Sequence, residues 1–252
     1  MVTTRATSSK EKFELVYIEH EDLFKDFWQT CLVLGRIPAN DEFAESDKIK
    51  QFSGSHLKVF TLLDTLFEDN EFAQAEQYRK EDLLVYFALS QFDKRKPYTQ
   101  LPDELQRDVK AFFGNYNNAL TIAKELLYSV ADTELITETS IAAQQILPAS
   151  HLLENHSLTF HKDFIELLPA LLRVYVECAV QLYGELEDIQ LIKIHFHSGK
   201  VSFMGYDDFD NSPLPLLKER IKVKLAQQQV DYFDYVGEYT PQPLYFKSNY
   251  IT

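Results

Sequence analysis

The sequence predicts an α+β protein, an all-helical N-terminal half followed by a helix packed on a small antiparallel sheet. Apolar residues recur at three- and four-residue intervals as far as about Ile146, and the pattern changes to strict alternation after Gln190. Pro148 stands between the two regimes. These observations divide the chain into a disordered tail at 1–12, a helical domain at 13–147 and an α+β domain at 148–252.

The elements follow in order. Residues 1–12 are rich in Thr, Ser and Lys and carry no periodicity, which fits a disordered tail. Phe13–Val16 reads as a short strand. Asp22 opens a helix with Leu23, Phe27, Cys31 and Leu34 on one face, and Gly35 stops it ahead of the turn Gly35-Arg36-Ile37-Pro38. Phe43 falls in a short helix, Gly54-Ser55 punctuates, and Leu57, Phe60, Leu63 and Phe67 share the next face. A polar helical stretch, Asp69–Lys80, leads to a helix whose stripe is Leu83, Leu84, Phe87, Ala88 and Phe92. After the Lys94-Arg95-Lys96 knot, Pro102 sits where a helix start tolerates a missing N–H, and Leu105, Val109, Phe112 and Phe113 form the stripe that Gly114 ends. Ala119, Ala123, Leu127 and Val130 mark one more helix.

Beyond Pro148, Leu158–Leu168 leads to Pro169 and to a helix burying Leu172, Tyr175, Val176, Ala179 and Leu182 before Gly184. Alternation then predicts a strand over Gln190–His197, a Ser198-Gly199 hairpin turn and a return strand through Val201, Phe203 and Gly205. Ile221, Val223 and Leu225 alternate with Arg220, Lys222 and Lys224, a half-buried strand with a wet basic face. Val230–Tyr235 is expected to pair with it across Gln227–Gln229, and Leu244–Tyr250 to form a last edge strand.

With 45% hydrophobic and 13% aromatic residues, 252 residues can fill one large core or two small ones. The 39 acidic against 25 basic residues give a net charge of −14, which repels a phosphate backbone at long range and leaves only a local basic face for DNA. The 2 cysteines, Cys31 and Cys178, lie in apolar helical surroundings and supply neither a disulfide framework nor a cysteine-ligated zinc site. The N-terminal MVTTRATSSKEK lacks an apolar core, and no run approaches the ~20 apolar residues that span a bilayer. The expectation is a cytoplasmic protein with no membrane partner.

Three constellations carry potential chemistry. Asp207, Asp208 and Asp210 follow the strand at Val201–Tyr206, with Asp231 and Asp234 reachable through strand pairing, and carboxylates at a strand end suit a hard cation. An Asp/Asn turn folding back on its backbone ahead of Pro213 is the more economical account. His195 and His197 sit two apart on one expected strand, facing one side, with His161 or Asp231 as third ligands of a metal site; a solvated strand face beside Lys193 is the simpler reading, and no metal is assigned. The basic residues form two clusters, Lys94, Arg95 and Lys96 with Arg107 and Lys110, and Lys218, Arg220, Lys222 and Lys224. The first is the expected contact surface, with Tyr98 as an aromatic neighbour, although cations near a helix C-terminus also answer the helix dipole. The 7 glycines never cluster as a phosphate or methyl-donor loop, so no cofactor is expected.

The stretches LGRIPANDEF, DLLVYFALSQFDKRKPYTQLPDELQRDVKAFFGNY and LLPALLRVYVECAVQLYG, and then LIKIHFHSGKVSFMGYDDFDNSPLP and IKVKLAQQQVDYFDY, resemble the bacterial family named for DNA phosphorothioation-associated methyltransferases. The resemblance runs from about Leu34 to Tyr235. It implies a DNA-modification or anti-phage defence setting, beside machinery that replaces a phosphate oxygen of DNA by sulfur. The chain departs from that family in lacking a glycine-rich turn for the methyl donor, so the resemblance carries over no catalytic residue and implies the accessory module alone. The expected function is therefore a non-catalytic accessory protein working through protein components of such a system and contacting DNA locally. The alternatives are a metal-dependent enzyme acting on nucleic acid through Asp207, Asp208 and Asp210 with His195 or His197, and an acidic regulator that mimics DNA.

Overall fold

The computed structural model describes residues 15–67, 70–92 and 94–251. The expected tail at 1–12, and Phe13 and Glu14 of the first expected strand, lie outside the described residues. Residues 15–19 are helical instead of extended. There the backbone N–H of His20 reaches the carbonyls of Val16 and Tyr17, and both side chains pack toward the Phe24 cluster.

The chain divides into two compact units, and the division does not fall at Pro148. The first comprises Met1–Leu83 and Pro102–Phe113. Helix α1 (Glu21–Leu34) buries Phe24, Phe27, Trp28 and Cys31, a face turned slightly from the Leu23-to-Leu34 stripe expected from spacing, because the larger aromatic rings take the centre. Helices α2 (Ser46–Ser53) and α3 (His56–Phe67) add Ile49, Val59 and Leu63 to the same core. Phe43 joins it from a turn, not from a short helix. Helix α4 (Glu71–Leu89) runs from this unit into the second, and α5 (Asp103–Phe113) returns to the first.

What ties these pieces of the first unit together is ionic. Asp108 of α5 is 0% exposed and accepts from Arg36 Nε at 2.6 Å on one oxygen, and from Arg79 Nε at 3.1 Å and Nη2 at 2.7 Å on the other. Arg36 also forks onto Glu42, at 2.7 and 2.9 Å, and Arg107 extends the chain of charges to Glu42 and Asp41. Gly35 lets Arg36 reach in. Its φ of +60° is left-handed, and a Cβ there would stand 2.8 Å from Arg79 Cβ and 2.9 Å from the Ala75 carbonyl.

The second unit comprises Leu84–Leu101 and Gly114–Thr252. Helices α6 (Tyr116–Ser129) and α7 (Thr133–Ala143) start at the caps Asn115 and Asp132, whose side chains accept the first free backbone N–H groups. The sheet is six antiparallel strands in sequential order: β1 (Ser150–Leu153), β2 (Ser157–His161), β3 (Leu191–His195), β4 (Lys200–Asp207), β5 (Leu216–Lys224) and β6 (Gln229–Asp234). Helix α8 (Ala170–Tyr183) lies between β2 and β3 in sequence and packs on one face. Leu172, Tyr175, Val176 and Ala179 meet Leu158, Phe160, Ile192, Ile194, Val201, Phe203, Ile221 and Val223. Ile136, Ala143 and Leu147 belong to this same core, and for that reason the helices before Pro148 group with the sheet.

Strands β1 and β2 stand where no strand was expected, and the anticipated edge strand Leu244–Tyr250 is absent. That segment makes an isolated bridge from Pro243 to Leu216 and a short 3-10 turn at Lys247–Asn249, and with Leu191, Met204, Phe209, Leu217 and Tyr235 it covers one end of the sheet's other face. Phe92, expected in a buried stripe, lies beyond the end of α4 and is half exposed.

Replacing Asp108 by Asn is expected to lower stability by about 3–5 kcal/mol, since it leaves a buried guanidinium beside a neutral amide. Replacing Asp41, at the exposed end of the same network, should change little. Urea titrations of the two variants separate these outcomes, and equal shifts would show that burial of the ion pair has no special weight. The Arg36 guanidinium, opposed in part by burial, holds the Glu42 carboxyl down at about 2. A depressed value contributes stability above the ordinary 4.5 that is lost as the pH falls toward 2, so Glu42→Gln should flatten acid unfolding across that window.

Candidate functional site

Because side chains alternate along strands, burying Ile192, Ile194, Val201, Phe203, Ile221 and Val223 under α8 forces their neighbours to the opposite face. Strand register arranges that face in rows. Ser157, His195, Lys200, Lys224 and Gln229 form one; Thr159, Lys193, Ser202, Lys222 and Asp231 the next; and His161, Leu191, Met204, Arg220 and Phe233 the third. Five cations, Lys193, Lys200, Arg220, Lys222 and Lys224, thus share one face with a single carboxylate, Asp231. That carboxylate is taken by Lys224 at 2.8 Å. Among the described residues no acidic side chain forms a contact ion pair with Lys193, Lys200, Arg220 or Lys222, although Asp231 also feels the charge of Lys222.

Cations, aromatic rings and hydroxyls pack closely here. Arg220 lies over the Tyr235 ring at 5.6 Å and Lys222 over Phe233 at 5.3 Å. Ser157, Thr159 and Ser202 are buried, and His195 Nε2 pairs with Ser202 Oγ at 2.9 Å. Burial, then the nearby Arg220 and Lys222, lowers the Lys193 ammonium below its ordinary value. Burial likewise drives the His195 imidazole down to about 4, helped by Lys193, His156, Lys222 and Lys200. The charged neighbours that weigh most on these two groups all oppose their protonation.

Near its C-terminal segment the face deepens into a cavity of about 250 Å³, with Thr159, Lys193 and Arg220 on the sheet side and Leu244 and Tyr250 on the other. A β-bulge near Gly205 makes this geometry. Lys218 is passed over in the pairing, so Leu217 joins Tyr206 and Met204 on the outer face instead of turning inward.

The first basic cluster has members in both units. Lys94, Arg95 and Lys96 are exposed in the second unit, beyond the end of α4 and its dipole, with Arg95 over the Tyr116 ring at 5.9 Å. Arg107 and Lys110 belong to α5 in the first unit. Arg107 is already held by Asp41 at 2.7 Å and Glu42 at 3.0 Å, so it serves the ionic network rather than offering a free cation; Lys110 is exposed.

The carboxylates and histidines weighed as a metal site do not converge. His195 pairs with Lys200 at one end of β4 and Asp207 closes the other, a separation of roughly 23 Å along the strand. Asp208 accepts the Asn211 side-chain amide at 2.8 Å and, through its carbonyl, the Ser212 N–H at 2.9 Å, and Lys247 binds the Asp210 carbonyl, so the aspartates form a turn closed on its own backbone. His197 falls in the hairpin turn beyond β3, exposed, instead of beside His195. His161 lies at the far end of β2 from Ser157, the residue facing His195. Among the described residues no group of three His, Cys, Asp or Glu side chains is placed to hold a metal ion.

A second, apolar cavity of about 720 Å³ lies between Phe92, Tyr175, Cys178, Leu182 and Leu225. Its thiol is pushed up to about 11 by burial, and that of Cys31 to about 12, so neither is an activated nucleophile.

Sequence reading identified the basic side of β5 but not its continuation through Lys193 and Lys200, nor Ser157 and Thr159 on β2. The signal was present in Ser157-Leu158-Thr159-Phe160-His161, a polar/apolar alternation after a turn containing the left-handed Asn155.

No protein-family model, curated protein or solved structure matches the chain.

In an NMR titration the His195 imidazole is expected to stay neutral until about pH 4. Its folded value lies below the ordinary 6.5, so the contribution to stability is full above 6.5 and declines as the pH falls from there toward 4. Lys193→Gln should move the His195 titration upward; an unchanged midpoint would mean that the Lys193 charge has no part in setting it.

Proposed function

We propose that this protein is a non-catalytic accessory module that contacts the backbone of DNA through the open face of its sheet and engages protein components of a phosphorothioation-linked modification or defence system. One observation carries the DNA contact: in a chain of net charge −14, five cations gather on one face with a single carboxylate among them. The modification setting and the accessory role both rest on the sequence resemblance.

The net charge and the local face act at different ranges. At physiological salt, charges further apart than about 8 Å are largely screened, so a phosphate near the sheet responds to the lysines beneath it and not to the acidic surface elsewhere. On β5, Arg220, Lys222 and Lys224 project at intervals of roughly 6.5–7 Å, with Lys193 and Lys200 on neighbouring strands. Phosphate contacts of this kind position a backbone without reading its bases. The sheet face also separates this reading from a DNA mimic, which presents carboxylates where these lysines stand.

The test is fluorescence anisotropy of labelled DNA at several salt concentrations. Four cations not paired with an acid predict a slope of log K against log salt of roughly −3 to −4. Lys193→Glu with Lys222→Glu is expected to weaken binding at least about tenfold and to flatten that slope. The triple change Lys94→Glu, Arg95→Glu and Lys96→Glu should have the smaller effect. The reverse ranking moves the contact to the Lys94–Lys96 segment, and salt-insensitive or undetectable binding by the unaltered protein sinks the DNA contact altogether. Recovery of modification or defence proteins from the native host after nuclease treatment tests the accessory role separately.

A further inference from the structure

The basic face has an open end and a closed one. At the open end lie the β3–β4 and β5–β6 turns, joined by the bond from Leu225 N to the Gly199 carbonyl, with Lys200 and Lys224 beside them. From Lys224 the outward residues of β5 run through Lys222 to Arg220, roughly 13 Å away, and there meet the C-terminal segment. That wall is fixed in place. Leu217 N–H donates to the Gln242 carbonyl at 2.8 Å, Leu244 N–H donates to the Pro215 carbonyl at 2.9 Å, and Leu244 and Tyr250 are buried in the outer cluster. A strand laid along the lysines of β5 therefore ends at the wall, in the cavity of about 250 Å³.

The lining of that cavity is selective in charge and size. Lys193 and Arg220 bring two cations, Thr159 and Tyr206 bring hydroxyls, His151 stands at the exposed rim, and no carboxylate lines it. The Arg220 guanidinium is held over the Tyr235 ring. The volume falls below the ~300 Å³ at which pockets for drug-sized ligands begin, so a ligand held here is compact. Two cations with no acid between them match a dianion better than the single charge of a phosphodiester within a chain.

We infer that this pocket binds a phosphomonoester group, presented by the end of a DNA strand lying on the basic face. The inference rests on the DNA-contact reading for its source of phosphate but not for its chemistry, since a free mononucleotide carries the same group.

The experiment compares one labelled single-stranded oligonucleotide bearing a 5′-phosphate, a 3′-phosphate or hydroxyls at both ends. In parallel, calorimetry on the full chain uses inorganic phosphate and a nucleoside monophosphate. One phosphorylated end is expected to bind about tenfold tighter than the hydroxyl form, and this preference should vanish in Arg220→Gln and in the nearly isosteric Thr159→Val. Lys200→Glu, at the open end, should weaken all three oligonucleotides and keep the preference. Thermal melts establish that each variant is folded, and Thr159→Val carries the test should Arg220→Gln not fold. Binding of the mononucleotide without an end preference supports the pocket and overturns the strand end as its source. Equal affinity for all three ends with no binding of phosphate or mononucleotide overturns the pocket while leaving the DNA contact intact. Phosphate binding without binding of any oligonucleotide supports the pocket and overturns the DNA contact.

Discussion

The architecture of the second unit depends on a sheet that is buried on one side only. Helix α8 covers the inner face, where Leu172, Tyr175, Phe160 and Phe203 are at most 1% exposed. Each such side chain contributes about 1.5–3 kcal/mol on burial, so the strand register is strongly fixed. A slip of one residue would push Lys193, Lys222 and Lys224 under the helix, a placement no ammonium group tolerates unpaired. The hydrophobic requirement of one face thereby fixes the location of every charge on the other. Function is then free to choose outer residues away from the Leu191–Met204–Leu217 cluster, because they take no part in the core under α8.

The first unit is organised by a different constraint. Its aromatic core around Phe24, Phe27 and Trp28 is ordinary apolar packing, but α5 is held by Asp108, completely buried between Arg36 and Arg79. Such a pair brings little net stability relative to an apolar substitute, since both partners lose their hydration. Its effect is to specify: only one placement of α5 satisfies both guanidinium groups and the Glu42 fork. Gly35 belongs to the same device, since any side chain there would collide with α4 next to Arg79.

The sequence made the inner face legible because its signal is periodic. Ile192, Ile194, Ile221 and Val223 alternate plainly, and the two hairpins they imply are present. Strands β1 and β2 escaped because each is short, and Leu158 and Phe160 also fit the apolar approach to a helix. The edge strand expected at Leu244–Tyr250 failed for another reason. Those residues are apolar because they cap the outer cluster, and burial by a loop leaves the same compositional mark as burial in a strand. Arg107 shows where local reading stops altogether. In sequence it is a cation beside Lys110, and only the fold reveals Asp41 and Glu42, 66 and 65 positions earlier in the chain, as its partners.

The same distinction between local and spatial charge bears on the basic face. Acidic residues are plentiful enough in this chain for every lysine to have an acid within reach, and the first unit uses them that way. On the outer sheet only Asp231 does so. Lys193 is instead partly withdrawn from water and faces the like charges of Arg220 and Lys222, an arrangement that opposes its own protonation and weakens the folded state. One acidic substitution, at Ser202 between Lys193 and Lys222, would relieve it at no cost to the inner core, since that side chain faces away from α8. Local disfavour in an otherwise consistent structure marks a place where something other than stability has set the residues. Under the DNA contact proposed above, an approaching phosphate would supply the missing negative charge, and the energy withheld from folding would become available to binding.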